Sequence, residues 1–138
     1  MEKTVNYGVI GCGMMGQEHI RNISLLPGAE ITAISDPDEG MRDASVTLAG
    51  EKAKGFATLG EMLSADICDA YVIAAPNDTH HDLLLEVMPG NKPLLVEKPL
   101  CTTAEQCRAI LAAARVSQAQ CLVTHNARYG VADTLIYE

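Results

Sequence analysis

The sequence predicts an α/β protein built on a doubly wound parallel sheet with helices on both faces. Six short apolar segments alternate with stretches of helical periodicity, and the connections between them are long enough for crossover helices. The first apolar segment runs directly into Gly11-x-Gly13-x-x-Gly16. A glycine-rich turn between a strand and a helix is typical of this fold class.

The strands are predicted from apolar runs of strand length that end at turn residues. They cover residues 5–10, 31–35, 56–57, 70–75, 94–97 and 121–124. Pro27-Gly28 separates the first helix from the second strand, and Asp36-Pro37 closes that strand. Because a helix is predicted between each strand and the next, consecutive strands are expected to run parallel.

The first two helices are predicted from apolar spacing. The first covers residues 14–25, and the second covers residues 38–49. In the second helix Met41, Ala44 and Leu48 stand at helical spacing and form the predicted apolar face.

Capping residues predict two further helix starts. Thr58-x-x-Glu61 and Thr102-x-x-Glu105 are both capping boxes, at the starts of the third and fifth helices. The apolar face predicted for the fourth helix consists of Leu83, Leu84, Val87 and Met88. The apolar face predicted for the fifth helix consists of Cys107, Ile110, Leu111 and Ala114.

The composition fits such a domain and excludes several classes of protein. The chain has 138 residues, 48% of them hydrophobic, and a formal net charge of −8. This acidic balance argues against nucleic acid as a partner, and no apolar run approaches the length of a membrane span. Five cysteines, an odd number without a C-x-x-C pair, argue against a disulfide framework and a zinc site. We therefore expect a cytoplasmic protein with reduced thiols and no metal.

Glycine, polar and charged residues follow five of the predicted strands. These groups cover residues 11–16, 36, 76–80, 97–99 and 125–128. The carboxyl ends of parallel strands share one rim of the sheet, which is where ligands bind in this fold class. The sequence therefore predicts a single crevice along that rim.

Asp36 lies twenty positions after Gly16, the interval expected for a carboxylate that accepts hydrogen bonds from the adenosine ribose of a dinucleotide. The glycine turn and the positive end of the first helix would then hold the pyrophosphate. A carboxylate repels a 2′-phosphate, and Pro37 and Asp38 follow it in place of an arginine, so NAD is favoured over NADP. Alternatively, Asp36 caps the next helix, a role that Asp-Pro-Asp serves equally well.

Three motifs resemble one known family. They are Gly11-x-Gly13-x-Met15-Gly16 with His19 beyond it, Ala75-Pro76-Asn77-x-x-His80, and Glu97-Lys98-Pro99. Together they resemble the amino-terminal domain of the glucose–fructose oxidoreductase / inositol dehydrogenase / rhizopine-catabolism (Gfo/Idh/MocA) oxidoreductases. The resemblance implies a Rossmann domain over residues 1–128 and the start of a linker helix over residues 129–138. It also leads us to expect that the family's second domain, which supplies a histidine general base, is absent from this chain.

The resemblance implies that Lys98 is the catalytic residue and contacts the cofactor, facing the nicotinamide and the substrate carbinol. Its ammonium group would hydrogen-bond the alcohol oxygen as hydride leaves the carbon. Glu97 by resemblance contacts the nicotinamide-side ribose, and the alternative is a charge partner for Lys98. Pro99 is expected to follow a cis peptide bond, as in other family members.

The remaining expected cofactor contacts lie in the glycine turn and after the fourth and sixth strands. They are Gly11, Cys12, Gly13, Met14, Met15, Gly16, Pro76, Asn77, His80, Asn126 and Arg128. His80 could instead occupy the first turn of the following helix, and Arg128 could be a solvated residue at the domain boundary. Cys12 has no visible activating partner, so we do not expect it to act as a nucleophile.

The resulting functional hypothesis is an NAD-dependent oxidoreductase, represented here by its cofactor-binding half. It would transfer hydride between nicotinamide and a secondary alcohol of a sugar, cyclitol or related polyol, and a full-length protein could form a homo-oligomer. The alternative is a stand-alone dinucleotide-binding module, truncated and either inactive or regulatory. A methyltransferase that binds S-adenosylmethionine is a more distant alternative, because its glycine spacing is generally tighter than that of residues 11–16.

Overall fold

The computed structural model describes residues 3–125. The strands are β1 (Val5–Ile10), β2 (Ala29–Ser35), β3 (Lys54–Phe56), β4 (Ala70–Ile73), β5 (Leu94–Val96) and β6 (Cys121–Val123). The helices are α1 (Met14–Ser24), α2 (Glu39–Ala49), α3 (Leu59–Ala65), α4 (His80–Val87) and α5 (Ala104–Val116). Short 3₁₀ turns, Asn77–Thr79 and Met88–Gly90, flank α4.

All strand pairs are parallel, and the sheet order is β3-β2-β1-β4-β5-β6. This confirms the doubly wound sheet. The winding direction reverses between β1 and β4, so the loops that follow these two strands leave toward opposite faces. Between them a crevice opens at the carboxyl ends of the strands, which is the usual ligand position in this fold.

Helices cover both faces of the sheet. On one face α1 and α2 pack over a cluster that includes Val9, Ile20 and Ile34, which are all 0% exposed. On the other face α3, α4 and α5 pack over a larger cluster that includes Met62 and Leu84. The strands contribute apolar side chains to both clusters, which is why they read as continuous apolar runs.

The apolar face predicted for α2 is wrong. Met41 and Leu48 are 38% and 39% exposed, whereas Ser45 is fully buried. The helix turns Ser45 and Val46 toward the sheet, together with Arg42, whose guanidinium group donates to the main-chain carbonyl oxygen of Asp36 over 2.8 Å. The buried face of α2 thus combines this polar contact with Val46 and Ala49, a mixture that apolar spacing alone does not reveal.

The two predicted capping boxes have different outcomes. Thr58 caps α3, and Glu61 completes the box by accepting from the Thr58 main-chain N–H over 3.1 Å. The box predicted at Thr102 is wrong, because Thr103 is the N-cap and accepts from the N–H of Gln106. Thr103-x-x-Gln106 fits the same sequence pattern one residue later. Thr102 instead donates its hydroxyl and its main-chain N–H to the Gln106 side chain.

The helices and the polar side chains of residues 3–125 can be compared with membrane spans and metal sites. Among these residues, the longest apolar helices fall short of what a membrane crossing requires. Within the same range, no group of three or more His, Cys, Asp or Glu side chains is arranged to hold a metal ion. The five cysteines are free thiols in the structure.

Candidate cofactor site

The three glycines of the turn after β1 lie in two different environments. Gly11 and Gly16 pack against backbone atoms, whereas Gly13 faces open space. Gly11 has a φ of 95°, and a Cβ at this position would lie 2.5 Å from the main-chain nitrogen of Ala75. A Cβ on Gly16 would overlap the carbonyl oxygen of Gly11. A Cβ on Gly13, in contrast, would meet no protein atom within 4 Å. Packing among the described residues therefore does not explain why position 13 is a glycine. Its missing side chain leaves a space open in the crevice.

Helix α1 begins directly at this open space. Gly13 is its N-cap, and no side chain caps the helix. The first-turn N–H groups of a helix need acceptors, and the helix dipole favours an anion there. The uncapped start of α1 beside the open glycine therefore fits the phosphates of a dinucleotide, by the same geometry that other helix termini use for anions.

The Asp36 carboxylate is fixed against the glycine turn. Its Oδ2 accepts from the N–H of Cys12 over 2.7 Å, and its Oδ1 accepts from the N–H of Asp38 over 2.9 Å. The alternative that Asp36 caps α2 is wrong, because Asp38 is the N-cap and accepts from the N–H of Met41. Asp36 and the glycine turn thus form one hydrogen-bonded unit at the ends of β1 and β2.

Two clefts meet at this unit. An apolar cleft of about 380 Å³ extends from it between the ends of β2 and β4, lined by residues that include Ala57, Leu59 and Leu83. A second cleft of about 370 Å³ runs along the glycine turn. Both are lined by Gly11, Asp36, Ala75 and Pro76. A flat apolar slot, a carboxylate and an uncapped helix start therefore follow one another along the rim.

A further cleft of about 410 Å³ lies elsewhere. It runs beside α1 toward the amino ends of the strands, where it is lined by Tyr7, Pro93 and Gln120. It shares no lining residue with the two clefts at the glycine turn. Its position at the opposite ends of the strands separates it from the expected ligand crevice.

The expected contacts within the glycine turn lie in different environments. Met14 is 83% exposed at the start of α1, and Met15 is half-buried. Cys12 is fully buried, and that burial is the main reason why the pKa of its thiol is raised to about 11. A protonated, buried thiol is a poor nucleophile, in agreement with the expectation from the sequence. Pro76 and Asn77 are exposed at the rim after β4.

Lys98 follows β5 and presents an exposed side chain, and its peptide bond to Pro99 is cis, as expected. Its main-chain N–H lies 3.2 Å from both Glu97 Oε2 and Thr124 Oγ1. Within residues 3–125 its ammonium group takes part in no ion pair. The main chain of Lys98 is therefore anchored while its side chain is exposed, and Lys98 is not among the lining residues of the two clefts at the glycine turn.

Glu97 is the centre of that anchor. It is 6% exposed, and its Oε1 accepts from His19 Nε2 over 2.7 Å. Its Oε2 accepts from the Thr124 hydroxyl over 2.7 Å. Burial raises the pKa of Glu97, but the hydrogen bonds from Thr124 and His19 outweigh it, and the net pKa is below the usual 4.5. Glu97 is thus held as a carboxylate that links α1, β5 and β6.

Sequence reasoning missed these partners. His19 and Glu97 are 78 positions apart, a separation that no local spacing rule connects. Arg42 was also missed, because it lies six positions after Asp36 and not directly behind it. The position of His19 within the first motif was the one signal that could have marked it.

His80 is fully buried, with both ring nitrogens beside main-chain carbonyl oxygens. It begins α4, which was one of the two positions expected for it. Its role as a cofactor contact stays a prediction, as do the roles of the other expected site residues. Asn126 and Arg128, together with the domain boundary at residue 128, lie outside the described residues.

Comparisons with known proteins agree with this geometry. Residues 5–125 match the model of a family described as "Oxidoreductase family, NAD-binding Rossmann fold" (GFO_IDH_MocA). Inositol 2-dehydrogenase 2 of Saccharopolyspora erythraea is 39% identical over 111 residues, which cover 80% of this chain and 32% of that protein. The rhizopine catabolism protein MocA of Rhizobium meliloti is 38% identical over 101 residues, which cover 73% of this chain and 31% of that protein.

Solved structures show the same relationship. The myo-inositol dehydrogenase of Lactobacillus casei, in complex with NAD(H) and myo-inositol, is 30% identical with a TM-score of 0.80, over 86% of this chain and 36% of that one. GenD2 from gentamicin A biosynthesis, in complex with NAD, is 28% identical with a TM-score of 0.87, over 95% of this chain and 37% of that one. The chain spans about a third of the length of the curated relatives it matches. The chain therefore belongs to the Gfo/Idh/MocA oxidoreductase family and carries that family's NAD-binding Rossmann fold.

Proposed function

We propose that this chain binds NAD in the crevice at the carboxyl ends of its strands and serves as the cofactor domain of a polyol dehydrogenase. The observation that carries the proposal is the hydrogen bond between the Asp36 carboxylate and the Cys12 N–H. It joins the acidic residue to the glycine turn, so that a ribose and a pyrophosphate can be bound side by side.

The structure suggests how the parts of NAD are distributed. The apolar cleft beside Leu59 and Leu83 suits the adenine, and Asp36 suits the hydroxyls of the adjoining ribose. The open space at Gly13 and the uncapped start of α1 suit the pyrophosphate. A 2′-phosphate beside Asp36 would meet a like charge, which favours NAD over NADP.

Lys98 is the residue that we propose for the chemical step. NAD, when bound, accepts the hydride that leaves the carbinol carbon. The Lys98 ammonium donates a hydrogen bond to the carbinol oxygen and stabilises the negative charge that develops there. The hydroxyl proton would pass to a base, which by the family resemblance we expect on a second domain. Glu97 and Thr124 hold the Lys98 main chain, so that the lysine needs little reorganisation.

The substrate class rests on the relatives. Several are named inositol 2-dehydrogenases, and the L. casei structure contains myo-inositol. We infer that a cyclitol or a related polyol, oxidised at a secondary hydroxyl, is the substrate of the protein to which this domain belongs. These relatives are about three times as long as the matched segment, so turnover should be measured with a protein of their length.

The cofactor assignment can be tested on the chain itself by calorimetric titration with NADH and NADPH. Asp36→Ala removes a charged hydrogen-bond acceptor, so we expect the NADH affinity to fall by about tenfold or more, and the NADPH affinity to fall less. Asp43→Ala is the matched control, because it removes an equal charge from an exposed position on α2. Equal NADH affinity in the Asp36→Ala variant and the native chain would refute the ribose assignment. A folded native chain that bound neither coenzyme would refute the proposed function.

A further inference from the structure

His80 connects the two loops that border the crevice beside Lys98. Its Nδ1 lies 2.7 Å from the carbonyl oxygen of Pro99, in the loop after β5. Its Nε2 lies 2.9 Å from the carbonyl oxygen of Ala75, in the loop after β4. The side chain is 0% exposed, so that water has no access to either contact.

Both neighbours of the ring are hydrogen-bond acceptors. A carbonyl oxygen only accepts, so a ring nitrogen bonds to it only when that nitrogen carries a hydrogen. The imidazole carries at least one such hydrogen, so the buried ring donates to the carbonyl oxygen of one loop and packs against that of the other. The side chain therefore fills the space between the two loops.

We propose that His80 is a positioning residue that holds the Lys98 loop to the loop after β4, because its buried ring lies within hydrogen-bond distance of a carbonyl oxygen in each loop. Pro99 follows Lys98 directly, so its bond to His80 fixes the chain on one side of the lysine. Glu97 and Thr124 fix the Lys98 main-chain N–H on the other side. The importance of the held lysine rests on the proposed function, whereas the clamp itself is a property of the fold.

The consequence is a mechanical link between the cofactor crevice and Lys98. Ala75 packs against the glycine turn, since a Cβ at Gly11 would lie 2.5 Å from its main-chain nitrogen. Its carbonyl oxygen is one of the two that His80 holds. Through His80, the loop that carries Lys98 is therefore held against the loop after β4, which also contacts the glycine turn.

The first test is histidine side-chain NMR on the uniformly ¹⁵N-labelled native chain at neutral pH. Long-range ¹H–¹⁵N correlations report whether each ring nitrogen carries a hydrogen, and His80→Gln assigns the signals by their loss. We expect a His80 ring N–H that is hydrogen-bonded and exchanges slowly with water. A His80 ring whose N–H exchanges as fast as that of an exposed histidine would overturn the proposal.

The second test is amide hydrogen exchange at Lys98. His80→Phe removes the ring nitrogens and keeps an aromatic ring, and we expect exchange at Lys98 to become at least about tenfold faster. His80→Gln keeps an N–H₂ group and should restore part of the protection. The matched control is His81→Phe, since His81 is the neighbouring histidine and its ring bonds to the Asp82 side chain rather than to either loop.

A merely structural role for His80 gives a different result. General loss of stability would accelerate exchange in the core of β1 and β2 as much as at Lys98, and that outcome would overturn the proposal. Unchanged exchange at Lys98 in a folded His80→Phe variant would overturn it as well. Exchange is measured without ligand, so failure of the native chain to bind NADH would refute the proposed function and leave this result intact.

Discussion

Replacing Gly13 by alanine separates what the fold requires from what the cofactor requires. A Cβ at this position would meet no protein atom within 4 Å, and its φ of −69° is ordinary for alanine. Alanine is a poorer N-cap than glycine but restricts the unfolded chain, so we expect the free energy of unfolding to change by about 1 kcal/mol or less. For a chain of this size the melting temperature should then move by about 5 °C or less.

The effect on binding should be much larger. The new methyl group would occupy the space where we place the pyrophosphate, and overfilling a close contact costs about 1–3 kcal/mol. The NADH affinity of the Gly13→Ala variant should therefore fall by about tenfold to a hundredfold. Thermal unfolding and calorimetric titration on the same preparation give both numbers. Native affinity in this variant would show that the pyrophosphate does not approach the turn.

Gly16→Ala tests the opposite case, a glycine that the fold itself requires. Its Cβ would overlap the main-chain carbonyl oxygen of Gly11, so backbone must move, and we expect a loss of stability of about 1–3 kcal/mol or more even without ligand. The melting temperature should fall by roughly 5–10 °C. A Gly16→Ala variant as stable as the native chain would contradict the packing that we describe.

Three further outcomes follow from the structure. In a protein of the relatives' length, Lys98→Met should lower turnover with little change in NADH affinity, which steady-state kinetics can check; unaltered turnover would remove Lys98 from the mechanism. The pKa of Glu97 is lower in the folded chain than its usual value, so its carboxylate stabilises the fold above pH 4.5, and this contribution is lost as the pH falls through the folded pKa. Urea unfolding of the native chain and Glu97→Gln should accordingly differ at neutral pH and converge in acid; a constant difference would contradict this. Thr103→Ala should cost about 1 kcal/mol of stability and Thr102→Ala only a few tenths, because Thr103 is the N-cap of α5.

The sequence predicted the strands and the part of the crevice at the glycine turn well, because both depend on local patterns. Each strand is an apolar run of the right length, and the residues that follow it come to one rim by the rule for parallel sheets. Asp36 was located from its interval to the glycine turn, and the structure adds that its carboxylate accepts from the Cys12 N–H. Thr58 and Glu61 form their capping box because both partners lie within one helical turn.

The errors arose where two local patterns fitted the sequence equally well, or where a residue distant in sequence determined a contact. Thr102 and Thr103 are both followed, three positions later, by a residue that can complete a capping box, and the helix uses the second. The face of α2 that packs on the sheet carries Arg42, which donates to the Asp36 carbonyl oxygen, and a search for apolar spacing overlooks such a polar residue. The partners of His80 are main-chain carbonyl oxygens, which have no sequence signature, so its contacts with Ala75 and Pro99 were not foreseen.

The contacts around Lys98 explain how an exposed lysine can still be held accurately. Its N–H is bound at the ends of β5 and β6, and the residue after it is bound by His80 of α4. Glu97, which supplies one of these bonds, is itself bound by His19 of α1. Every anchor acts on the main chain or on a neighbour, so that within residues 3–125 the ammonium group takes part in none of the ion pairs. Helix α1, which begins at the proposed pyrophosphate site, therefore also contributes through His19 to the anchoring of the lysine main chain.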